Sequence, residues 1–489
     1  MNLKKLFPIR SENLSNLILE FPDLSKRDLF LLLSFEFLII LSLFFLSFKL
    51  ALILALAIIF LFLNFIDSRI SLLILFSFSM FVNYANRATL AFGLCVTGFI
   101  LVFLLLAVYL KVCIRGFKMM KSKLNLPLSV FLAIVLLNCL RGLFLHHKID
   151  SLALETFAYL CFGLIFLVIN IFNSIKDIRI FFNISIFLAI CLSIFGIAHY
   201  VMIGHRIGGT IYFGVIPGLV AIVLLNLFFY SKSSRSKNYY LLLSFVPILH
   251  LLFSFTRGYW LGFLGALIFS YGNYIFRQKY GITKKIPLLL KGGVVLAIII
   301  FLLLASVQLF MPGGSFFNKV IHRFSTSFSV TYSPETISNV SRILEYQGAI
   351  EQIKKQPFWG HGISYGFELR DPLAVKTYTV RAVHNDYLAM ILKMGLLGLG
   401  LFLWLFYVFF KNGLKFGRKL KDEYAQGLVF GFLANAIQLL IIGVTNHVFI
   451  GVMNTVYLAF AIGAVEVIKR GEEAIENTDF ADKSHKGKG

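Results

Sequence analysis

A histidine and two glycines are spaced so that they could serve one reaction site. His384 is followed by Asn385, then by nine residues, and then by Gly395 and Gly398. A helix has about 3.6 residues per turn, so the spacing predicts that His384 and Gly395 lie on one helix face. A histidine imidazole can take a proton from a hydroxyl group near neutral pH, and small residues let a helix or a lipid chain approach closely. A polar cap on an ordinary packed helix fits the spacing equally well.

Two neighbours of His384 are candidates for orienting its ring. Asn385 and Asp386 both carry side-chain oxygens that could hold the imidazole. We favour the interpretation that Asp386 only starts the following helix, where a negative charge is favourable. A neutral His384 that merely donates a hydrogen bond to a phosphate group is an alternative to the base.

Two arginines stand at the ends of apolar segments, where an ionisable side chain is costly unless it faces a cavity. They are Arg206 in GHRIGGT and Arg257 in SFTRG. The planar guanidinium group can bind two phosphate oxygens at once, so both arginines are candidates for holding a phosphorylated ligand. A structural ion pair, or a side chain that extends to the membrane surface, is the alternative for each.

The composition predicts that these residues sit in a membrane protein. The 489 residues are 59% hydrophobic and 14% charged, and the mean hydropathy is +0.85. The net charge of +23 would suggest nucleic acid as a partner of a soluble protein, but the Lys and Arg residues lie in short loops between apolar segments, so we expect none. The five cysteines are widely separated and predict neither a disulfide framework nor a metal site.

Apolar segments long enough to cross a bilayer recur along the chain, and about 20 helical residues suffice for one crossing. They predict an all-α polytopic protein with fourteen spans, or twelve if short early segments combine. The segments are 29–48, 50–66, 70–83, 89–110, 126–140, 151–173, 180–203, 211–230, 239–254, 258–276, 286–310, 386–410, 427–445 and 448–468.

The basic loops predict the orientation of the spans. Loops around residues 111–123, 232–237, 277–285 and 411–421 are rich in Lys and Arg and should be cytoplasmic. Even numbers of spans separate them, so both termini fall on the same side. The opposite, extracytoplasmic face then gathers Arg206, Arg257 and His384, although the assignment used none of these residues.

The same pattern predicts the domain organisation. A cytoplasmic segment (1–28) precedes an N-terminal transmembrane bundle (29–310), an extracytoplasmic loop (311–385), C-terminal transmembrane helices (386–470) and a cytoplasmic tail (471–489) that we expect to be disordered. The loop should contain one helix that begins at Ser333 and Pro334 and ends near Lys355. Its predicted apolar stripe consists of Ile343, Tyr346, Ile350 and Ile353.

Several of these segments resemble one family. HNDYLAMILKMGLLG, which begins at His384, is similar to the signature of the bacterial O-antigen ligase and polymerase superfamily. SRILEYQGAIEQIKKQPFWGHGISYGF (341–367) is similar to that family's outer-loop segment. GHRIGGT and SFTRG resemble its two arginine segments, although GHRIGGT lacks the Pro-Asn that commonly follows.

The resemblance implies a GT-C-type fold in the bacterial inner membrane and a periplasmic active face. It implies transfer of a glycan from undecaprenyl diphosphate to the lipid A core. Arg206 and Arg257 would hold the diphosphate, and His384 would activate the acceptor. Arg342 and Asn385 are substrate-binding candidates, with Gly395 and Gly398.

We expect no metal and no cofactor in this reaction. The outer face shows no Asp-x-Asp pair and no carboxylate cluster with ligand spacing. Cationic side chains would therefore stabilise the leaving diphosphate. Direct displacement with a single base would invert the anomeric configuration.

Three alternatives remain open from sequence. An O-antigen polymerase would share the topology, the motif and the donor but use a second lipid-linked repeat as the acceptor. A protein O-oligosaccharyltransferase belongs to the same superfamily. A lipid-linked glycan transporter would also need many spans and buried arginines, but we find no internal repeat and no central pair of broken helices.

Overall fold

The computed structural model describes residues 67–81, 120–203, 215–254, 256–277, 337–371 and 376–486. The predicted spans 29–48, 50–66, 89–110 and 286–310 lie outside these residues, as do Arg206, Ser333 and Pro334. The chain divides into one compact unit of residues 1–72 and 99–118 and another of residues 73–98 and 119–489. Apart from the first residues of one helix, 68–72, everything that follows concerns the second unit.

The described residues are almost entirely helical. The helices and strands are α1 (Ser68–Phe81), α2 (Asn125–Phe144), α3 (Ile149–Leu160), which continues through a 3-10 turn (Cys161–Gly163) into α4 (Leu164–Ile171), α5 (Ile175–Ile203), α6 (Val215–Tyr230), α7 (Ser234–Phe253), α8 (Arg257–Arg277), α9 (Ile337–Lys355), β1 (Phe367–Asp371), β2 (Lys376–Val380), α10 (Asp386–Gly417), α11 (Glu423–Gly443) and α12 (Val452–Lys486).

Six helices within the described residues are long and apolar enough to cross a membrane. They are α2, the continuous α3–α4, α5, α10, α11 and α12, and α1 and α6 are shorter apolar helices. The predicted all-α polytopic membrane fold is confirmed. Each predicted span in the described residues overlaps a helix, although α7 and α8 carry more polar residues and are not among the six. The predicted domain boundaries stay predictions.

Helix α12 is longer than expected. It continues through residues 471–486, where we predicted a disordered tail. Mixed charges suggested disorder, but the segment also contains Glu, Ala and Lys, which favour helices.

Close approach between helices depends on small residues. Helix α11 packs against α6 and α8. A side chain at Gly431 would lie 2.9 Å from the Cα atom of Val223, and one at Gly427 would lie 3.0 Å from the Cα atom of Leu227. These two glycines therefore let α6 and α11 approach along their backbones.

Helix α10 is interrupted at Gly395, whose backbone angles (φ 70°, ψ −179°) lie outside the helical region. Carbonyl groups from an earlier segment satisfy the amides after the break. The Leu396 amide donates to the carbonyl oxygen of Pro357 at 2.8 Å, and the Leu397 amide donates to that of Phe358 at 3.4 Å. The predicted continuous helix face from His384 to Gly395 is therefore broken at its far end.

Residues 357–362, which we call the inserted segment, also satisfy the carbonyl groups before the break. The His361 amide donates to the Leu392 carbonyl at 2.8 Å, and the Gly362 amide donates to the Lys393 carbonyl at 2.9 Å. Irregular backbone inside a membrane protein requires such partners, because lipid offers none. The inserted segment therefore completes α10.

A two-stranded antiparallel sheet follows the inserted segment. Strands β1 and β2 pair from Phe367 opposite Val380 to Asp371 opposite Lys376. The aromatic ring of Phe367 packs against α9, where a side chain at Gly348 would lie 2.5 Å from it. We did not predict this sheet, although the alternating residues of KTYTV carry a strand pattern.

Helix α9 is confirmed within the long loop, and half of its predicted apolar stripe, Tyr346 and Ile353, packs against the core around Ala349. Ile343 and Ile350 are exposed, whereas Ala349 is fully buried. The carboxylate of Glu345 is also largely buried. Glu345 can point into the protein interior because its carboxylate has a partner, His384, just before α10.

Candidate active site

His384 lies immediately before α10 and is paired with Glu345 of α9. The Nδ1 atom of His384 is 2.8 Å from Oε2 of Glu345, and the His384 amide donates to the same oxygen at 3.3 Å. A carboxylate only accepts hydrogen bonds, so the proton belongs on Nδ1 and the lone pair on Nε2. The His384 side chain is 35% exposed, and Nε2 makes no hydrogen bond to any residue that the structure describes.

The backbone around His384 is fixed from two sides. Tyr346, the residue after Glu345, donates its hydroxyl to the His384 carbonyl oxygen at 2.7 Å. Asn385 is the N-cap of α10, and its side-chain oxygen accepts from the Leu388 amide at 3.0 Å. Asn385 thus caps the helix and leaves the orientation of the imidazole to Glu345.

The loop between α11 and α12 brings a second histidine to the site. The ring centroids of His384 and His447 are 4.9 Å apart, at an angle of 64°. Burial lowers the pKa of His447 to about 4. Protonation of His384 and the charges of Lys393 and Arg342 act in the same direction, while Glu345 opposes them. His447 is therefore neutral near neutral pH and adds no charge beside His384.

Asp386 holds this loop in place. It is completely buried, and its Oδ2 atom accepts from the Val448 amide at 2.7 Å and from the Phe449 amide at 3.2 Å. As we expected, Asp386 is the first residue of the helix. Its carboxylate also fixes the loop that carries His447.

Arg257, the first residue of α8, lies at the same end of the bundle. A side chain at the next residue, Gly258, would lie within 2.5 Å of polar atoms of Thr445 and Asn446, directly before His447. The start of α8 and the start of α10 therefore both pack against the 445–449 loop.

Arg342 stands one helical turn before Glu345 on α9. Burial raises the pKa of the Tyr346 hydroxyl, and the positive charge of Arg342 partly offsets this rise. The same charge acts on His447. Arg342 therefore contributes positive potential at the site, and its contact with substrate stays a prediction.

Of the two predicted glycines, Gly395 serves the break in α10. Gly395 faces the Phe358 carbonyl oxygen, which would lie 1.9 Å from an added side chain. An added side chain at Gly398 would lie 2.3 Å from that of Met394. The inserted segment occupies the approach that we had assigned to another helix or a lipid chain, and substrate contact with either glycine stays a prediction.

Sequence reasoning missed Glu345 and His447 as members of this site. A glutamate in a polar loop helix is usually a surface charge, and the sequence around His447 carries no metal-ligand spacing. No group of three or more His, Cys, Asp or Glu residues that could hold a metal ion occurs among the described residues.

The comparison with protein families covers this region. Residues 240–403 match the family model described as O-antigen ligase. Residues 240–403 therefore form a region of the O-antigen ligase and polymerase superfamily type. The superfamily region contains Arg257, Arg342, Glu345 and His384, so it covers the imidazole–carboxylate pair. It ends before His447. No curated protein matches the chain.

The chain is a multi-pass membrane protein. The family of its matched region implies, in general terms, a glycosyltransferase-like enzyme with lipid-linked glycan partners. The confirmed resemblance rests on the segments from SFTRG to GLLG, whereas GHRIGGT lies outside the matched residues.

Proposed function

We propose that this protein is an O-antigen ligase-like glycosyltransferase. It would move a polysaccharide from undecaprenyl diphosphate to a sugar hydroxyl of the lipid A core, at the periplasmic face of the bacterial inner membrane. The observation that carries the proposal is the pairing of His384 with Glu345 inside the O-antigen ligase region. This pairing leaves Nε2 as the proton-accepting atom.

His384 would act as the general base. The acceptor hydroxyl gives its proton to Nε2 while its oxygen forms the new bond to the anomeric carbon. Glu345 stabilises the imidazolium that results and keeps the ring oriented. The neutral His447 beside it limits charge repulsion during this step.

Arg257 and Arg206 would stabilise the leaving group. As the bond between the anomeric carbon and the phosphate oxygen breaks, undecaprenyl diphosphate takes the electron pair and gains negative charge. A guanidinium group can bind two of its oxygens. This reaction needs neither a metal nor a cofactor, and a single displacement inverts the anomeric configuration.

The interruption of α10 does not favour the transport alternative. Transporters use broken helices to expose backbone groups to a substrate or an ion. Here the inserted segment bonds with Leu392, Lys393, Leu396 and Leu397 on both sides of the break. These backbone groups are therefore engaged by protein.

The test is a lipopolysaccharide gel together with the undecaprenyl-linked glycan pool, in cells that lack the gene and in cells complemented with wild type, Arg257→Ala or His384→Ala. A ligase predicts bare core and accumulated long lipid-linked polymer in the null and variant strains. Core capped by a single repeat would identify a polymerase. Normal long-chain lipopolysaccharide in every strain would contradict both functions.

A further inference from the structure

A charged pair is buried behind the candidate active site. Nζ of Lys393, on α10, lies 2.8 Å from Oε2 of Glu155, on α3, and the two side chains are 0% and 5% exposed. The desolvation of two buried charges often outweighs their attraction, so such a pair is weak evidence for stability. An ionisable pair inside a membrane-spanning bundle therefore calls for another role.

Both partners also hold the chain that enters the break in α10. The Lys393 carbonyl accepts from the Gly362 amide at 2.9 Å, and Oε2 of Glu155 accepts from the Ser364 amide at 3.2 Å. Ser364 has a φ of 65°, a left-handed conformation that a non-glycine residue keeps only where its surroundings impose it. The pair thus fixes residues 362–364 from two sides.

The same stretch of chain is tied to the end of α9. Nε2 of His361 lies 2.9 Å from the Gln352 carbonyl oxygen, and the Tyr365 hydroxyl donates to Oε1 of Gln352 at 3.2 Å. Two turns earlier, α9 carries Glu345, the partner of His384. The position of Glu345 relative to α10 therefore depends on how residues 361–365 are held.

We propose that Glu155 is a positioning residue, whose side-chain oxygen, neutralised by Lys393, holds residues 361–365 in the break of α10 and so keeps Glu345 on His384. The pair touches no reacting atom and acts through the backbone. This inference rests on the proposed function only where transfer is the readout. The hydrogen bonds donated by the amides of His361, Gly362, Ser364 and His384 can be tested without any assumption about the reaction.

Two neutral double variants test the inference. A single substitution would leave a buried charge unpaired and risk unfolding. Lys393→Met with Glu155→Leu removes both charges and the acceptor of the Ser364 amide. Lys393→Met with Glu155→Gln removes both charges but keeps an acceptor oxygen. The control is Lys232→Gln with Glu423→Gln, which removes an ion pair near the surface. This pair joins the end of α6 to the start of α11, whereas the candidate active site lies at the end of α11.

Residue-resolved amide exchange and glycan transfer are measured on the full chain in nanodiscs. For the Glu155→Leu double variant we expect at least roughly tenfold faster exchange at Gly362, Ser364 and His384, because their acceptors shift. We expect kcat to fall by at least about tenfold with little change in donor KM, since a small displacement of a base slows chemistry. The Glu155→Gln double variant and the control should stay within about threefold of wild type in both readouts.

Three outcomes would overturn the inference. One is unchanged exchange at His384 in the Glu155→Leu double variant. The second is faster exchange at His384 without loss of kcat, and the third is equal loss of kcat in both double variants. If wild-type protein transfers no glycan, the proposed function fails, and exchange at His384 alone decides whether Glu155 positions Glu345.

Discussion

Glu345 and His384 are 39 residues apart in the chain, yet Oε2 of Glu345 lies 2.8 Å from Nδ1 of His384. The contact joins a helix of the long loop to the start of a membrane-spanning helix. It also fixes which ring nitrogen carries the proton, and hence which one can take a proton from a substrate.

Replacing the carboxylate should slow the reaction without unfolding the protein. In Glu345→Gln the side chain keeps its size but no longer stabilises an imidazolium or enforces the proton on Nδ1. We expect kcat for glycan transfer to fall by roughly a hundredfold or more. Glu351→Gln, an exposed position on the same helix, is the matched control and should retain wild-type kcat. Equal activity of the two variants would rule out this role for Glu345.

Removal of the imidazole itself should be more severe. His384→Ala should lower kcat by roughly 10²–10⁴-fold, the usual contribution of a general base. The measurement is transfer from a purified lipid-linked glycan to lipid A core in nanodiscs. His146→Ala supplies a control, because His146 is an exposed residue outside the site. Strong transfer by His384→Ala would leave the arginines as the main source of catalysis.

Arg257 should be needed for its shape as well as its charge. Arg257→Lys keeps a positive charge but loses the fork that binds two phosphate oxygens. We expect a reduction in kcat of roughly 10²–10³-fold for Arg257→Ala, and a smaller reduction for Arg257→Lys. Thermal melting in detergent separates this effect from a folding defect. A lysine variant with full activity would show that charge alone suffices.

The helices were predictable because hydrophobicity is a local property. The apolar segments 386–410 and 427–445 needed no knowledge of their partners to be assigned as spans. The break at Gly395 was not predictable in this way, because the carbonyl groups that complete it belong to Pro357 and Phe358. Gly-x-x-Gly in an apolar segment usually indicates close helix packing. The sequence around Gly395 does not reveal that a distant segment inserts its backbone there.

The candidate active site was also predictable only where a residue's own type and position indicate its role. Residue types singled out His384 and Arg257, since both are costly at the edge of a membrane. The role of Glu345 depends on a distant contact, and a glutamate in a polar loop helix is usually a surface charge. The burial of Ala349 likewise depends on distant residues, because it packs with Phe367 and Leu392.

Gly395 should tolerate no side chain. In Gly395→Ala the new methyl group would lie 1.9 Å from the Phe358 carbonyl oxygen, and a φ of 70° is itself strained for alanine. We expect a destabilisation of at least about 2 kcal/mol. Gly400→Ala, on the same helix with nothing within 4 Å of the added carbon, should be neutral or slightly stabilising. Thermal melting of both variants checks this, and equal melting temperatures would contradict the close approach of the inserted segment.

His447 should make the fold sensitive to acid. Its pKa is lowered from 6.5 to about 4, mainly by burial and then by the nearby charge of His384. Between these pH values the unfolded chain binds a proton at His447 that the folded chain does not, so stability falls as the pH drops through this window and is unaffected above it.

The variant His447→Asn removes this contribution while keeping a polar side chain. Melting temperatures of wild type and His447→Asn in nanodiscs, compared at pH 7.5 and at pH 4.5, measure its size. We expect the loss on acidification to be smaller in the variant, because only the wild type must keep a buried imidazole neutral. Parallel losses in the two proteins would mean that His447 is protonated as readily in the fold as in the unfolded chain.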